Sequence, residues 1–272
     1  RKYPVLFDLK KKVEESVRSM PEIKHHKIFV ATPAFGHQAY INYVNGLLAT
    51  VVAQPPKDLS YSFQFHIHAG GALISYARNE CVRHFLKSDC TKMLFIDADI
   101  GFGPEDFWRL LRKDVEFSMS PYITKALNDV KDSRFILSFG DQNLKVDEDG
   151  FVKVTSGPAG FMMLDRSVFD KMKKAYPECR TKMVALQNGK VVTLDNYTTF
   201  FDCIVDEELG SLGEDISFCR RWAEMGGEIY CDTKASLTHY GIHSFQAQLE
   251  KSIKGGVAGV DAEGKKEIEI TL

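Results

Sequence analysis

Short apolar runs alternate with amphipathic stretches along the first half of the chain. Residues 28–31 form a continuous apolar run, residues 92–96 are apolar after the first position, and residues 61–68 alternate apolar with polar side chains. Such lengths are typical of strands, and the continuous runs are typical of strands buried on both faces. Between them, residues 39–52 and 74–86 carry apolar residues at helical spacing. This alternation predicts an α/β fold with a mostly parallel sheet flanked by helices.

The second half is less regular and combines shorter segments of both kinds. Its order still extends the α/β pattern of the first half. Helices are predicted at residues 104–112, 166–175 and 214–225. Strands are predicted at residues 134–139, 151–154, 160–165 and 228–231, with a strand pair over 183–201 around the turn Asn188-Gly189.

The two ends of the chain differ from this core. Residues 8–20 place an apolar residue at every fourth position among lysines and glutamates, which predicts an amphipathic helix. We therefore divide the chain into an N-terminal helical arm (1–26), one α/β domain (27–246) and a peripheral C-terminal tail (247–272). The arm is the expected contact if the chain forms a homo-oligomer.

Composition narrows the class of protein. Lysine and arginine number 35 and acidic residues 37, so the net charge of −2 argues against a broad nucleic-acid surface. No apolar run is long enough to span a bilayer, and the first residues lack the apolar stretch of a signal peptide. The six cysteines are scattered without a C-x-x-C pair, which indicates reduced thiols. We expect a cytoplasmic protein, in the host cytoplasm if the source is a virus.

The most informative segment is Asp97-Ala98-Asp99, which directly follows the apolar run at 92–96. Ligands of open α/β sheets bind at the carboxyl ends of the strands, so this run would deliver two carboxylates to the binding edge. Carboxylate oxygens suit Mg²⁺ or Mn²⁺ and can share such a cation with a diphosphate. The alternative is a solvated loop that only caps the next helix.

Two later positions carry candidate chemistry. Glu214 and Asp215 stand at the start of a predicted helix, where acidic residues favour the helix dipole, and one of them could instead be a general base. His239 follows the last predicted strand and could ligate a metal through a neutral imidazole, although a lone histidine is more often structural.

Three further features leave alternatives open. Arg78 opens a predicted helix and could contact a phosphate or a base, or pair with Asp97. Gly160 ends a glycine-rich segment that could admit a ligand close to the backbone or form an ordinary loop. His66 and His68 share one face of a predicted strand, as a metal pair or as the polar face of a half-buried strand. The sequence contains no P-loop and no G-x-S-x-G nucleophile elbow.

Taken together and in this order, these segments resemble a GT-A glycosyltransferase, in particular the compact transferases of large algal DNA viruses, phages and some bacteria. The resemblance extends from about residue 27 to residue 245. Residues 181–208 do not align with the pattern, and acceptor specificity is expected there. The matching segments are residues 28–36, 74–79, 94–102, 157–165, 213–222, 226–229 and 239–241.

The resemblance implies a role for each matching residue. Asp215 is implied as the catalytic base, with Glu214 as the other candidate. Asp99 and His239, together with Asp97, are implied as ligands of Mn²⁺ or Mg²⁺. Gly160 is implied to border the acceptor. The residues implied to contact the donor are Ala31, Thr32, Pro33, Arg78, Asp97 and Ala98.

The implied reaction is metal-dependent transfer of a sugar from a nucleotide-sugar donor, by family default UDP-linked, to a hydroxyl of a glycan or glycoprotein. Attack from the face opposite the leaving diphosphate would invert the anomeric centre. A nucleotidyltransferase is one alternative, although residues 31–37 lack the glycine-rich basic loop usual in that class. A non-catalytic carbohydrate-binding module and a nuclease or metallohydrolase are the others, the last disfavoured by the missing basic surface.

Overall fold

The computed structural model describes residues 23–125, 134–140, 145–241, 244–250, 258–260 and 266–268. The helix predicted at residues 8–20 lies outside the described residues. The helices are α1 (Ile41–Val52), α2 (Ile74–Lys87), α3 (Pro104–Lys113), α4 (Arg166–Ala175) and α5 (Glu214–Glu224), with short 3-10 turns at Phe35–His37 and Pro177–Cys179. The strands, in chain order, are β1 (His25–Ala34), β2 (Ser60–Ala69), β3 (Lys92–Ile96), β4 (Ile100–Gly101), β5 (Phe117–Met119), β6 (Phe151–Val154), β7 (Phe161–Asp165), β8 (Arg180–Gln187), β9 (Lys190–Thr198), β10 (Val205–Asp206), β11 (Gly210–Ser211), β12 (Ile229–Asp232), β13 (Thr238–Tyr240), β14 (Ser244–Gln246), β15 (Ala258–Val260) and β16 (Lys266–Ile268).

Within the described residues, seven strands form the central sheet in the order β2-β1-β3-β7-β5-β12-β6. Strand β1 is parallel to β2 and β3, and β12 is parallel to β5. Strand β7 is antiparallel to β3 and β5, and β6 is antiparallel to β12. Because only β6 and β7 oppose the others, the predicted α/β fold with a mostly parallel sheet is confirmed.

The sheet is covered on both faces, as its continuous apolar strands require. Successive residues of a strand point to opposite faces. Along β1, Ile28 and Val30 belong to one buried cluster, whereas Phe29 and Ala31 belong to the other. Trp222 on α5 lies in the cluster that contains Phe29 and Ala31.

The hairpin predicted around Asn188-Gly189 is present as β8 and β9. Both turn residues have positive φ, 51° for Asn188 and 73° for Gly189. Two-residue hairpin turns with positive φ at both positions match the right-handed twist of the flanking strands. Asparagine and glycine tolerate this conformation best, which explains why the sequence signal was reliable here.

The strand predicted at residues 134–139 was wrong. Only isolated bridges join Ile123 to Phe135 and Ser138 to Ser156. Two of its four apolar residues, Phe135 and Phe139, are buried in one core cluster, and Ile136 and Leu137 are partly buried, so burial rather than strand pairing accounts for the apolar character of the segment. Strand β6 pairs with β12 along its whole length.

Candidate active site

A cavity of about 430 Å³ opens at the carboxyl ends of β1 and β3, beside the first turn of α2. Its lining includes Pro33, Phe35, Tyr40, Ile74 and residues 97–99. This is the edge at which open α/β sheets bind ligands, because the strand ends there leave room between the connecting loops. The loop that carries the predicted acidic pair therefore lies in a cavity.

Arg78 of α2 holds the first carboxylate of the pair. Its Nη1 and Nη2 donate to Oδ1 and Oδ2 of Asp97, both at 2.9 Å, and its Nε donates to Oε1 of Glu214 at 3.1 Å. The Arg78 side chain is only 3% exposed. Burial by itself would lower the pKa of Arg78, but Asp97 and Glu214 raise it, so the guanidinium stays charged.

A small sheet brings His239 to the second carboxylate. Strand β13 pairs antiparallel with β4, which sets His239 opposite Ile100, and the Tyr240 N–H donates to the Asp99 carbonyl at 2.9 Å. The Nε2 atom of His239 lies 3.6 Å from Oδ2 of Asp99. Two groups far apart in the sequence thus meet at one point.

The other ring nitrogen of His239 fixes the tautomer. Nδ1 lies 2.8 Å from the carbonyl oxygen of Ile123, which can only accept, so Nδ1 must carry the proton. In the neutral ring, Nε2 then presents a lone pair toward the carboxylate of Asp99. A lone pair facing a carboxylate is the arrangement that a cation between them stabilises, and a backbone carbonyl on the opposite nitrogen is the usual orienting contact of a metal-bound histidine.

The donor set of Asp99 and His239 fits a hard divalent cation with open positions. No group of three or more His, Cys, Asp or Glu side chains suited to a metal occurs among the described residues. Mg²⁺ commonly binds through one or two carboxylates and completes its shell with water and substrate phosphates. The positive charge beside Asp99 here comes from the ammonium group of Lys125. Burial raises the pKa of Asp99, but His239 and Lys125 together lower it by more. The pKa of Asp99 therefore lies below its usual value.

Asp97, predicted as a further metal ligand, is bound by Arg78. Both of its carboxylate oxygens accept hydrogen bonds from Arg78. Of the alternatives for Arg78, the structure shows the ion pair with Asp97. A bidentate guanidinium neutralises the carboxylate and fixes its plane, which leaves Asp99 as the better placed ligand of the two.

The predicted donor residues separate into a buried and a lining group. Pro33 and Ala98 line the cavity. Ala31 and Thr32 are not part of this lining, because both are buried within β1. The hydroxyl of Thr32 is engaged with the Tyr43 hydroxyl of α1 at 2.7 Å, so it supports the helix beside the cavity.

Asp215 lies on the first turn of α5, next to the Arg78 network. Burial is the main cause of its raised pKa, and the neighbouring Glu214 carboxylate raises it further. Its Oδ1 accepts from the Ile216 N–H at 2.8 Å. Glu214 differs because its carboxylate is bound by Arg78. Of the two residues predicted as alternative bases, Glu214 is thus held by the Arg78 guanidinium, whereas Asp215 accepts from a backbone N–H.

Gly160 lies directly against the loop formed by residues 97–99. Its carbonyl accepts from the Asp97 N–H at 2.9 Å, and its N–H donates to the Tyr122 hydroxyl at 3.1 Å. A Cβ at this position would lie 2.3 Å from the Tyr122 oxygen and 2.9 Å from Oδ2 of Asp97. Only glycine fits without displacing one of them.

Tyr122 is a site residue that the sequence analysis missed. It is buried, its ring contacts His239 at 4.7 Å between centroids, and its hydroxyl lies at Gly160. Burial and the nearby Asp97 carboxylate raise the pKa of Tyr122 well above its usual value. The available signal was its position just after β5, at the same carboxyl edge of the sheet.

The two histidines on β2 belong to the packed side of the strand. The His66 ring stacks on His84 of α2 at 4.2 Å, whereas the rings of His66 and His68 are 6.3 Å apart. Burial, followed by the charge of His84, lowers the pKa of His66 to about 4. This supports the half-buried strand over the metal pair.

The chain resembles known proteins only in its backbone fold. No family model matches the chain, and no curated protein matches it in sequence. The crystal structure of GalNAc-T7 with UDP, GalNAc and Mn²⁺ aligns over 79% of this chain and 44% of that chain, with 10% identity and a TM-score of 0.44. The structure of the inositol-1-phosphate CTP transferase from T. maritima aligns over 79% of this chain and 89% of that chain, with 7% identity and a TM-score of 0.41.

The chain spans less than half the length of the GalNAc-T7 chain. At these identities and scores, the likeness concerns only the path of the backbone. The functional argument therefore rests on the geometry of the cavity and its side chains. Among the described residues, no helix is both long and apolar enough to cross a bilayer.

Proposed function

We propose that the chain is a glycosyltransferase that moves a sugar from a nucleotide-sugar donor, expected to be UDP-linked, to a hydroxyl of a glycan or glycoprotein. The observation that carries the proposal is the meeting of three groups around Tyr122. These are the Asp99–His239 pair, the fixed carboxylate of Asp97, and Asp215 with its raised pKa. Together they supply the groups that sugar transfer from a diphosphate requires.

The donor would occupy the cavity at the end of β1 and β3. Pro33 and Ala98 form part of its wall. Asp97 is held by Arg78 in one orientation and is placed to accept a hydrogen bond from a ribose or sugar hydroxyl through its remaining lone pairs. Fixing such a group before the donor binds lowers the entropy lost in the complex.

Asp99 and His239 would hold a divalent cation, Mn²⁺ or Mg²⁺. When bound, such a cation neutralises charge on a departing diphosphate, a form of electrostatic stabilisation that often dominates catalysis. Ile123 keeps the His239 ring in the tautomer that this ligation needs. The pairing of β4 with β13 fixes the position of both ligands.

Asp215 would remove the proton from the acceptor hydroxyl. Its raised pKa moves it closer to neutral pH, which favours proton transfer to a general base. Displacement by that hydroxyl on the face opposite the diphosphate inverts the anomeric centre. Gly160, whose missing side chain leaves room for the Tyr122 hydroxyl beside Asp97, would border the acceptor.

Nucleotidyl transfer uses the same kind of acidic, cation-binding edge and differs in the bond broken. The segment after β1, residues 33–37, contains no lysine or arginine to hold a nucleoside triphosphate. This favours a nucleotide-sugar donor. The products separate the two reactions, because sugar transfer releases a nucleoside diphosphate and nucleotidyl transfer releases pyrophosphate.

The test is a panel of nucleotide sugars and nucleoside triphosphates with Mn²⁺, Mg²⁺ or a chelator, with both products measured. We expect release of nucleoside diphosphate with the cation, and a loss of at least about a hundredfold in Asp99→Ala. Asp89→Ala, which removes an exposed carboxylate paired with Lys27, is the matched control and should retain activity. Turnover that is unchanged in chelator and in Asp99→Ala would refute the metal assignment.

A further inference from the structure

Strand β2 is an edge of the central sheet. Within the described residues it has one hydrogen-bonded neighbour, β1, and no strand pairs with its other side. It contains ten residues, which corresponds to a length of about 33 Å. An edge of this length presents a row of backbone donors and acceptors to a partner strand.

This edge lacks the features by which proteins usually prevent strand addition. Residues 60–69 include no lysine, arginine, aspartate, glutamate or proline. The parallel register with β1 runs without a shift from His25↔Ser60 to Ala34↔Ala69, so no bulge twists the edge away. Natural sheets use charges, prolines and bulges at their edges to avoid association. Their joint absence indicates that β2 has a partner.

The outer part of β2 also exposes apolar side chains. The odd-numbered residues share one face of the strand. On that face Tyr61 and Phe63 pack against Phe107 of α3. Phe65 and Ile67 continue the same row but are 45% and 55% exposed.

Helix α1 packs on the same face of the sheet as Phe63. Its Val44 and Leu47 pack against the same buried cluster as Phe63, so the helix covers this face of the sheet. The next apolar residues around the helix are exposed. They are Leu48, Val51 and Val52. Strand and helix thus each expose apolar side chains, and the strand carries no charged residue.

We propose that β2 is a dimerisation edge, and that two copies of the chain pair antiparallel through it into one continuous sheet. A twofold axis perpendicular to the sheet sets the apolar face of one β2 beside the apolar face of the other. Directly opposed residues of antiparallel strands point to the same face, so the odd-numbered rows of both copies join.

The chemistry of the strand favours a second copy over a charged partner. Because β2 carries no formal charge, two copies meet without like charges opposed, and a charged partner would find nothing to pair with. The strictly alternating pattern is self-complementary in any register that places odd opposite odd.

The experiment is sedimentation velocity over a micromolar concentration series, on the full chain and on two charge variants. We expect the parent to approach twice the monomer mass of 30.7 kDa. Phe65→Lys and Phe65→Glu should each shift to monomer, because like charges oppose across the axis. Mixing the two should restore the dimer, because position 65 then lies opposite or diagonal to its opposite charge in the partner.

Val191→Lys is the control, because Val191 is a 71% exposed apolar residue on the separate hairpin strand β9. It should leave the dimer intact, and circular dichroism confirms that every variant is folded. A parent chain that stays monomeric overturns the proposal, whether β2 is free or is covered by residues 1–22. A dimer insensitive to both Phe65 variants, or two monomeric variants that do not associate on mixing, overturns it as well. The result is independent of the proposed transferase activity.

Discussion

Two adjacent carboxylates at the start of α5 behave differently because of what surrounds each side chain. Glu214 accepts from Arg78, which balances its charge. Asp215 is buried beside Glu214, and both burial and that neighbouring charge raise its pKa. A residue-scale difference of this kind distinguishes a structural carboxylate from a candidate base.

Asp215→Asn is expected to abolish sugar transfer and yet stabilise the fold at neutral pH. The folded-state pKa of Asp215 lies above the unfolded value of 3.8. Its contribution to stability is therefore complete below pH 3.8 and is lost as the pH rises through the folded pKa. One pKa unit corresponds to about 1.4 kcal/mol in the free energy of unfolding. Each kcal/mol of added stability raises the Tm of a chain of this size by roughly 2–4 °C.

The measurements are thermal unfolding at pH 7 and at low pH, together with the transfer rate. We expect a higher Tm for the variant at pH 7, no difference at low pH, and a rate lower by about 10²–10⁴-fold. A variant that transfers sugar at the parent rate would remove Asp215 as the base. A variant less stable than the parent at pH 7 would contradict the raised pKa.

Residue type also explains which local predictions were reliable. Asn188-Gly189 was identified correctly because the turn depends only on the φ preferences of two neighbours. Tyr122 was missed because β5, the strand that leads to it at the carboxyl edge of the sheet, was itself not predicted. Its role arises from contacts with Gly160 and His239, which lie far away in the chain.

At the scale of elements, Arg78 links three separate parts of the fold. It lies on α2, binds Asp97 after β3, and binds Glu214 at the start of α5. Helices α2 and α5 and strand β3 were themselves predicted from periodicity. Their connection through one buried guanidinium was only one of several alternatives, because the sequence does not show which side chains will share an interior.

Arg78→Met is expected to destabilise the protein by about 3–5 kcal/mol, because two carboxylates are left without their buried counter-ion. Arg112→Met is the control, because Arg112 pairs with Asp58 and Glu105 at the surface and its loss should change stability by less than about 1 kcal/mol. Urea unfolding of the parent and both variants measures the difference. Equal effects of the two substitutions would show that the Arg78 network does not hold these elements together.

At the scale of the whole molecule, the sheet and the small β4–β13–β14 sheet combine to build the site. The central sheet delivers residues 97–99 to its carboxyl edge, and the smaller sheet returns His239 to them. The Asp99–His239 pair is thus built from segments that lie far apart in the chain. Ligand binding should therefore stabilise the whole fold rather than one loop.

UDP with Mn²⁺ is expected to raise the Tm of the parent, because a ligand that binds only the folded state adds about 2.7 kcal/mol at a hundred times its Kd. UDP with a chelator should give a smaller shift. Asp99→Ala should lose the Mn²⁺-dependent part, whereas Asp89→Ala should keep it. Differential scanning calorimetry provides the comparison. An equal Mn²⁺-dependent shift in Asp99→Ala would mean that the cation binds elsewhere.

The sequence by itself determined the α/β class, the helices, the hairpin and the placement of an acidic pair after a buried strand. These features follow from periodicity, turn residues and strand polarity, which are properties of neighbouring residues. Only the tertiary structure decided that both Asp97 oxygens bind Arg78, that Ala31 and Thr32 are buried, and that residues 134–139 form no strand. It also brought His239 to Asp99. Each of these features depends on which distant segments pack or pair together. The tertiary contacts of the whole fold, rather than local conformational preferences, determine that choice.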